Sequence, residues 1–468
     1  MSFKKVMKRY IGDRTFYKGV LAIAIPMIIQ NTVTNLVNLL DNLMVSWVGT
    51  EQMSGVSIVN QFIFVFNLAI FGAISAAGIF TAQFNGRGDV DGVRNTMRIK
   101  LVITLIIGII GIVVFSAFDN ELIMSYIHEG TGEQELDLDL VFHAAKDYMV
   151  YIVIGLVPFA ISQAYASTLR ETGQTVVPMI ASAASILTNL VFNGILIFGL
   201  FGFPALGVAG AAIATALSRF LELAILVAWT HKNSEKCRFI VGLFRNFRVP
   251  VALIKQVMIK GAPILANELL WSLSITTTNM FYSKLGPEIL PAMNISFNLQ
   301  NLLSVAYFAL SSSIAIIVGN LLGAGKLDEA RDTDRKLLAF SVFMGFVMMG
   351  IQLVLAPVFP MIYTDVQSVI GLASYNMVCF GLTMPLAALA TATYYTIRSG
   401  GRVFITMLFD SVYAWTIVIP TLAALVTYTN LSFHILLPII LVVENLKIVP
   451  GLILVEKGIW VRQINVEE

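Results

Sequence analysis

The sequence is poor in charged residues, cysteine and histidine, and each shortage excludes a class of protein. Only 12% of the 468 residues are charged and 57% are hydrophobic, whereas soluble domains average about 25% charged residues. A soluble globular domain is therefore excluded. The two cysteines, Cys237 and Cys379, lie far apart, which predicts neither a disulfide framework nor a metal site. The four scattered histidines also argue against a metal centre.

Motifs for chemistry on nucleotides or covalent intermediates are missing too. The glycine-rich run at 319–326 has the wrong spacing for a phosphate loop, and no nucleophile elbow or Cys/His pair for hydrolysis occurs. We therefore expect no enzyme, no catalytic residue, no metal, no cofactor and no use of ATP. The net charge of +2 gives no reason to expect a nucleic-acid or nucleotide partner.

Long apolar segments recur along the whole chain, whose mean hydropathy is +0.82. Each is long enough to cross a bilayer as a helix, which takes roughly 20 residues. The sequence thus predicts an all-α membrane protein with twelve transmembrane helices. We place them near 17–46, 55–83, 98–118, 142–168, 175–200, 206–230, 254–283, 290–322, 337–360, 368–397, 402–426 and 433–455.

The distribution of Lys and Arg predicts the orientation. With the N-terminus inside, nearly all basic residues fall in inner segments, and the outer loop Asp119–Asp139 is acidic. Basic residues favour the cytoplasmic side of a membrane. We therefore expect a multi-pass protein of the plasma (inner) membrane with both termini in the cytoplasm.

The chain contains an internal repeat. A shift of 237 positions places Pro26 on Pro263 and Gly86 on Gly323, and a second match aligns Arg170 with Arg398. The predicted domains are an N-terminal six-helix half (1–230), a cytoplasmic linker (231–260) and a C-terminal six-helix half (261–468). An even number of helices gives both halves the same orientation, so we expect a pseudo-twofold axis along the membrane normal and sites near the midplane.

The first predicted helix carries a polar stripe around a carboxylate. At about 100° per residue, one side of Leu21–Val48 collects Gln30, Asn31, Thr34, Asn35, Asn38, Asp41 and Asn42. Amides alone also serve as helix–helix contacts. A charge at bilayer depth costs at least about 2.5 kcal/mol, so Asp41 favours a wet cavity or an ion site.

The other intramembrane charges divide into two groups. Arg219/Glu222 and Glu444/Lys447 are spaced i, i+3, which predicts structural pairs on one helix face. Glu268 and Asp410 have no local partner. We interpret Glu268 as a substrate- or ion-binding residue and Asp410 as a possible one, although Asp410 also fits a structural role near the inner surface.

Amides on other helices extend the polar interior. Gln61, Asn189, Asn193 and Asn298 each fit a helix–helix hydrogen bond, but together they favour a wet interior. With Asn31, Asn35 and Asn38, they complete the predicted substrate- or ion-binding set.

Three stretches resemble the multidrug and toxic compound extrusion (MATE) family. Pro26-x-x-x-Gln30 followed by Leu-Asp41-Asn-Leu-Met-Val is similar to its first-helix signature, and Thr81-Ala-Gln83-Phe-Asn-Gly86 also resembles the family. The stretch from Gly261-Ala-Pro263 to Asn267-Glu268-Leu-Leu-Trp271 looks like a bacterial branch of it. The resemblance covers essentially the whole chain. It implies efflux of organic cations driven by Na⁺ or H⁺, with Asp41 as the ion-coupling residue; a seventh-helix glutamate, here Glu268, serves some branches.

These observations predict a secondary active antiporter that exports organic cations or drugs by rocking its two halves. The alternative is an exporter or flippase of a lipid-linked or peptide-like substrate on the same fold, which a cationic interior would favour. A receptor or intramembrane enzyme would need a sensing domain or catalytic constellation, and neither is found. We expect small organic cations and membrane lipids as partners, and a monomer.

Overall fold

The computed structural model describes residues 9–129 and 137–464, except for the side chains of 37–39, 128 and 129. The predicted site residue Asn38 therefore lies outside the described side chains. Within the described ranges the ordered elements are helices and no strand occurs. The all-α prediction is confirmed.

From Arg14 to Glu456, the described part of the chain has sixteen α-helices. They are α1 (Arg14–Ser46), α2 (Thr50–Arg87), α3 (Val90–Ala117), α4 (Asp119–Glu129), α5 (Leu138–Ile152), α6 (Leu156–Glu171), α7 (Val176–Phe198), α8 (Gly207–Lys232), α9 (Val251–Ser283), α10 (Ile289–Gly323), α11 (Leu327–Leu355), α12 (Gln367–Ser399), α13 (Val403–Met407), α14 (Ile419–Tyr428), α15 (Phe433–Asn445) and α16 (Ile448–Glu456).

Three of the predicted spans are interrupted helices. The short 3-10 turn Val153–Gly155 joins α5 to α6, and two π-helical turns, Leu408–Val412 and Ala414–Val418, join α13 to α14. The break between α15 and α16 lies next to Lys447. Such irregular turns inside spanning helices leave backbone groups that neighbouring side chains must satisfy, and π-turns are frequent at functional sites.

Eleven helical stretches in the described ranges are long and apolar enough to cross a membrane. The seventh predicted span, α9, is a helix of 33 residues but is less apolar, because it includes Lys255, Lys260 and Glu268. All twelve predicted spans therefore coincide with helices. The fold is an all-α membrane fold.

The acidic segment after α3 contains an additional helix that the sequence did not predict. Asp119 accepts a hydrogen bond from the backbone nitrogen of Asn120 at 2.9 Å, which supports the start of α4. Ile123 and Ile127 are buried in a core cluster that includes Tyr148. The buried isoleucines of this short helix thus pack it against the core of the N-terminal helices.

The internal repeat is visible where α2 and α10 end. Gly88 and Gly325 both have φ of +76°, the left-handed conformation that favours glycine. The backbone nitrogen of Asp89 donates to the Phe84 carbonyl at 2.9 Å, and that of Lys326 donates to the Leu321 carbonyl at 3.0 Å. Both helices thus end in the same Schellman-type turn, 237 positions apart.

The chain divides into two compact units. The N unit comprises Ile29–Thr81 and Val90–Ile254, and the C unit comprises Met1–Ile28, Ala82–Asp89 and Lys255–Glu468. The N unit has an apolar core of residues from α1 to α8. The C unit has two large clusters, one around Leu422 and Leu436 and one around Ile314 and Trp460. The predicted boundaries at 230 and 261 remain a prediction.

The linker between α8 and α9 is held against α3. Arg98 donates from Nε to the Leu243 carbonyl at 2.9 Å and from Nη2 to the Gly242 carbonyl at 2.8 Å. Cys237 is buried in this linker, and burial raises the pKa of its thiol to about 11. The thiol therefore stays protonated and unreactive at neutral pH.

Candidate functional site

The carboxylate of Asp41 is bound by two amides of α7 in the N unit. Asn193 donates from Nδ2 to Asp41 Oδ1 at 2.5 Å. The side-chain oxygen of Asn189 accepts a hydrogen bond from the Thr215 hydroxyl at 3.0 Å. In this orientation the side-chain nitrogen of Asn189 donates to Asp41 Oδ1 at 2.8 Å and to Asp41 Oδ2 at 3.1 Å. The spacing i, i+4 places both amides on one face of α7. The structure thus brings together three of the predicted site residues.

Asp41 opens into a small polar cavity of the N unit. Its lining, drawn from α1, α7 and α8, is Thr34, Asp41, Ser182, Ser185, Ile186, Asn189, Thr215, Ser218, Arg219 and Glu222. The cavity offers about 40 Å³ to the centres of water molecules, which is room for roughly three waters. Its size suits an ion with part of its hydration shell.

One buried oxygen beside Asp41 lacks a donor. Asn193 is 1% exposed, and among the described residues its Oδ1 has no hydrogen-bond partner. Buried polar oxygens are nearly always satisfied by protein, water or an ion. A carboxylate and a free amide oxygen at one place are the hard oxygen ligands that a small cation prefers.

The cavity also contains an ion pair that the sequence identifies only as structural. Arg219 Nη1 lies 3.3 Å from Glu222 Oε2, which confirms the predicted i, i+3 pair. Glu222 is 2% exposed and also accepts from the Ser182 hydroxyl at 2.8 Å. Its place beside Asp41 could not be predicted, because α1 and α8 are far apart in the sequence.

A hydrogen-bonded chain connects this pair to α6. Gln30 donates from Nε2 to the Ser182 hydroxyl at 2.8 Å, and Arg170 donates to Gln30 Oε1 at 3.5 Å. Gln30, Thr34 and Asp41 fall within about 40° of one another around α1. These three residues form the part of the polar stripe that faces α7.

The remaining predicted residues of the stripe point elsewhere. Asn31 and Asn35 are exposed, as is Gln61 on α2. Asn31 and Asn35 lie about 100–140° around the helix from Gln30, which places them outside the cavity lining. Their role in substrate binding remains a prediction.

A second polar cluster lies in the C unit, around the π-helical turns. Asp410 accepts from Lys447 Nζ at 3.0 Å and from Asn267 Nδ2 at 3.2 Å. Ser411 donates to the Asn267 side-chain oxygen at 2.7 Å. The predicted ion pair between Glu444 and Lys447 is wrong. The helix breaks between Asn445 and Ile448, and Lys447 pairs with Asp410 instead.

Glu268 lies next to this cluster. It is half-buried, whereas Asn298 on α10 is exposed. Its neighbour in the sequence, Asn267, donates to Asp410 at 3.2 Å. The structure therefore places Glu268 and Asp410 in one region of the C unit and leaves Asn298 apart from the buried part of the cluster.

Comparison with known proteins identifies the family. The MatE family model matches residues 26–195 and 263–422. A probable multidrug resistance protein, NorM, of Thermotoga maritima is 25% identical over 420 residues, which is 89% of this chain and 87% of that protein. The probable multidrug resistance protein YoeA of Bacillus subtilis is 21% identical, over 87% and 86% of the two chains.

Solved structures share the fold. A MOP-superfamily transporter from Pyrococcus furiosus, described as having a binding pocket of reverse polarity, has a TM-score of 0.82 at 18% identity over 98% of both chains. A Vibrio cholerae MATE transporter, VcmN, has a TM-score of 0.83 at 16% identity over 95% and 97%. The matches span both six-helix repeats, and the chain belongs to the MatE family of multi-pass membrane transporters.

Proposed function

We propose that this chain is a secondary active antiporter that exports organic cations, including drugs, in exchange for Na⁺ or H⁺. The observation that carries the proposal is Asp41, a carboxylate held by neutral amides in an ion-sized cavity. Among the described residues no ion pair joins Asp41 to a lysine or arginine. The relatives' names as multidrug resistance proteins support the cargo class.

Exchange follows from competition for that charge. A carboxylate removed from bulk water takes up a proton or a cation more readily, because its charged form has lost hydration. If the cavity opens alternately to each side, the ion loaded on one side is released on the other. An organic cation that requires the same negative charge then binds only after the ion has left, which makes the exchange obligatory. The coupling amounts to about 1–3 kcal/mol in typical linked sites.

The cell location belongs to the same proposal. Inner segments rich in Lys and Arg support a plasma-membrane protein with cytoplasmic termini. In that orientation an inward gradient of Na⁺ or H⁺ supplies the energy for export. No ATP motif is needed for this mechanism.

The alternative cargo, a lipid-linked or peptide-like molecule, rests on fold likeness alone. A pocket that recognises phosphate or another anion needs an excess of cations. The N-unit cavity carries two carboxylates and one guanidinium, which favours a cationic cargo.

Drug efflux from proteoliposomes tests the proposal. We expect export of a monovalent organic cation such as tetraphenylphosphonium when an inward Na⁺ or H⁺ gradient is imposed separately, and release of the driving ion in return. Efflux that is independent of both gradients would contradict ion coupling. Transport of an anionic lipid-linked substrate, without transport of organic cations, would support the alternative.

A further inference from the structure

The N-unit cavity holds three charged side chains, and they are not equivalent. Asp41 and Glu222 are acidic and Arg219 is basic. Arg219 Nη1 lies 3.3 Å from Glu222 Oε2, whereas Asp41 is bound by the amides of Asn189 and Asn193. One carboxylate is therefore neutralised by a fixed cation, and the other is not.

Arg219 is held in this position from two sides. Its guanidinium carbon lies 4.7 Å from the centre of the Phe159 ring, a cation–π contact. Glu222 in turn is fixed by the Ser182 hydroxyl at 2.8 Å. The Glu222 carboxylate is buried while the Arg219 side chain is partly exposed, and a buried carboxylate persists when its partners satisfy its oxygens.

The other ionisable groups near the cavity lie outside its lining. Arg170 acts on Glu222 from a distance, since Gln30 and Ser182 stand between them in the hydrogen-bonded chain. The adjacent Glu171 forms an ion pair with the buried Lys100, and none of Lys100, Arg170 and Glu171 lines the cavity. Tyr148, which is within electrostatic reach of Asp41 and Arg219, is uncharged at neutral pH. The side chains that line the cavity thus carry one net negative charge.

We propose that Arg219, by neutralising Glu222, limits the cavity to one positive charge per transport cycle. Arg219 is then a specificity-determining residue: it sets the ion stoichiometry and the charge of the ions that the cavity accepts. The inference rests on the proposed antiport. Its central claim concerns the number of positive charges that the cavity takes up, and this number can be measured without transport.

Removing the charges singly and together gives four distinct expectations. Wild type takes up one cationic charge. Arg219→Gln frees Glu222 and takes up two. Glu222→Gln leaves Arg219 facing Asp41 alone and takes up none, with affinity for Na⁺ or H⁺ lowered at least about tenfold. The double variant Arg219→Gln/Glu222→Gln restores one charge, with affinity within about threefold of wild type, as expected when coupled effects cancel.

The first measurement is equilibrium charge uptake by purified protein. It sums ²²Na⁺ bound and protons absorbed when the pH is lowered from about 9 to about 5, with the variant Asp41→Asn as baseline. Lys336→Gln is the matched control, because it removes one positive charge from a surface pair with Asp332. Arg219→Lys keeps the charge and is expected to take up one.

The second measurement is the transport stoichiometry. In proteoliposomes, the tetraphenylphosphonium gradient that stops net flux at a fixed ion gradient gives the number of ions exchanged per substrate. We expect twice the wild-type number for Arg219→Gln, and the wild-type number for Arg219→Lys and for the double variant.

Two results would overturn the inference. One is an unchanged count in Arg219→Gln. The other, decisive even if Arg219→Gln fails to fold, is a Glu222→Gln variant that takes up one charge like wild type. The numbers of charges taken up by wild type and the variants can match expectation while wild type shows no ion-coupled flux. In that case the role of Arg219 in limiting charge uptake is supported, and the proposed antiport is contradicted.

Discussion

Replacing Asp41 by asparagine separates the structural role of this side chain from its charge. The substitution keeps the size and one acceptor oxygen, which can still accept from Asn193 (2.5 Å in wild type). The other oxygen becomes an NH₂ group that faces the Asn189 amide nitrogen. Hydrogen bonds to a charged group contribute about 1.5–3 kcal/mol and neutral ones about 0.5–1.5 kcal/mol. The Asn189 amide can turn so that its oxygen accepts from this NH₂ group while its nitrogen donates to the Thr215 hydroxyl at 3.0 Å. Two hydrogen bonds to a charge are then replaced by two neutral ones, so we expect a loss of about 2–3 kcal/mol of stability, which a folded protein with about 5–15 kcal/mol tolerates.

The effect on coupling is expected to be much larger. A cation about 4 Å from a carboxylate gains about 4 kcal/mol at an effective dielectric constant of 20. That gain exceeds the roughly 1–3 kcal/mol by which linked sites usually influence each other. Without the charge, the competition between ion and drug disappears. The variant should fold, insert and still bind some drug, yet lose gradient-driven efflux.

The assay is drug release from proteoliposomes against an imposed ion gradient, at matched protein content. Asp332→Asn is the control, since it removes a carboxylate from the surface pair with Lys336. Wild-type coupling in the Asp41→Asn variant would refute the role of Asp41. Failure of the variant to insert into the membrane would show that the amide-bound carboxylate is primarily structural.

Three further predictions concern other parts of the chain. A methyl group added in Gly86→Ala would lie 1.9 Å from the carbonyl oxygen of Asn320, so the packing of α2 against α10 must shift there. We expect transport to slow more than substrate binding weakens, and equal losses would contradict this expectation. Glu268→Gln should weaken binding of monovalent organic cations, and unchanged affinities across a cation panel would indicate a structural role. A cysteine at Gly132, outside the described residues, should react with an impermeant thiol reagent from outside and one at Ser234 should not; the reverse pattern would invert the proposed orientation.

The fold could be predicted from the sequence because its signals are local or periodic. Long apolar runs predict spanning helices, and the shift of 237 positions predicts the matched turns at Gly88 and Gly325, which the structure shows with the same φ. The helix α4 was missed because its signal, two buried isoleucines within an acidic segment, is short. Its stability depends on packing against residues that are distant in the sequence.

The site was predictable only in part, for the same reason. Helical periodicity identifies Asp41, and composition marks Asn189 and Asn193 as polar positions on a predicted helix, but their contact with Asp41 is tertiary. Periodicity also groups Asn31 with Asp41, although the cavity lining includes only the narrower line through Thr34. The i, i+3 spacing predicts the local pair of Glu222 with Arg219, which the structure confirms, but it does not reveal the cavity that Glu222 shares with Asp41.

The polar clusters of the N unit and the C unit are built from residues at equivalent positions of the repeat. This equivalence explains why the i, i+3 spacing alone wrongly pairs Lys447 with Glu444. The shift of 237 positions aligns Gln30 with Asn267, and the shift of 228 implied by Arg170 and Arg398 aligns Ser182 with Asp410. Gln30 donates to Ser182 at 2.8 Å, and Asn267 donates to Asp410 at 3.2 Å.

The fixed cations of the two clusters are also repeat mates. The shift of 228 aligns Arg219 with Lys447. Arg219 pairs at 3.3 Å with Glu222 on its own helix, and the Ser182 hydroxyl donates to the same carboxylate. Lys447 instead pairs at 3.0 Å with Asp410, the carboxylate that stands in the position of Ser182. Each unit thus keeps a cation at the same repeat position and a carboxylate to neutralise it, while the helix that supplies the carboxylate differs. The repeat therefore preserves the balance of charge rather than the individual residues, and a local i, i+3 rule succeeds in one unit and fails in the other.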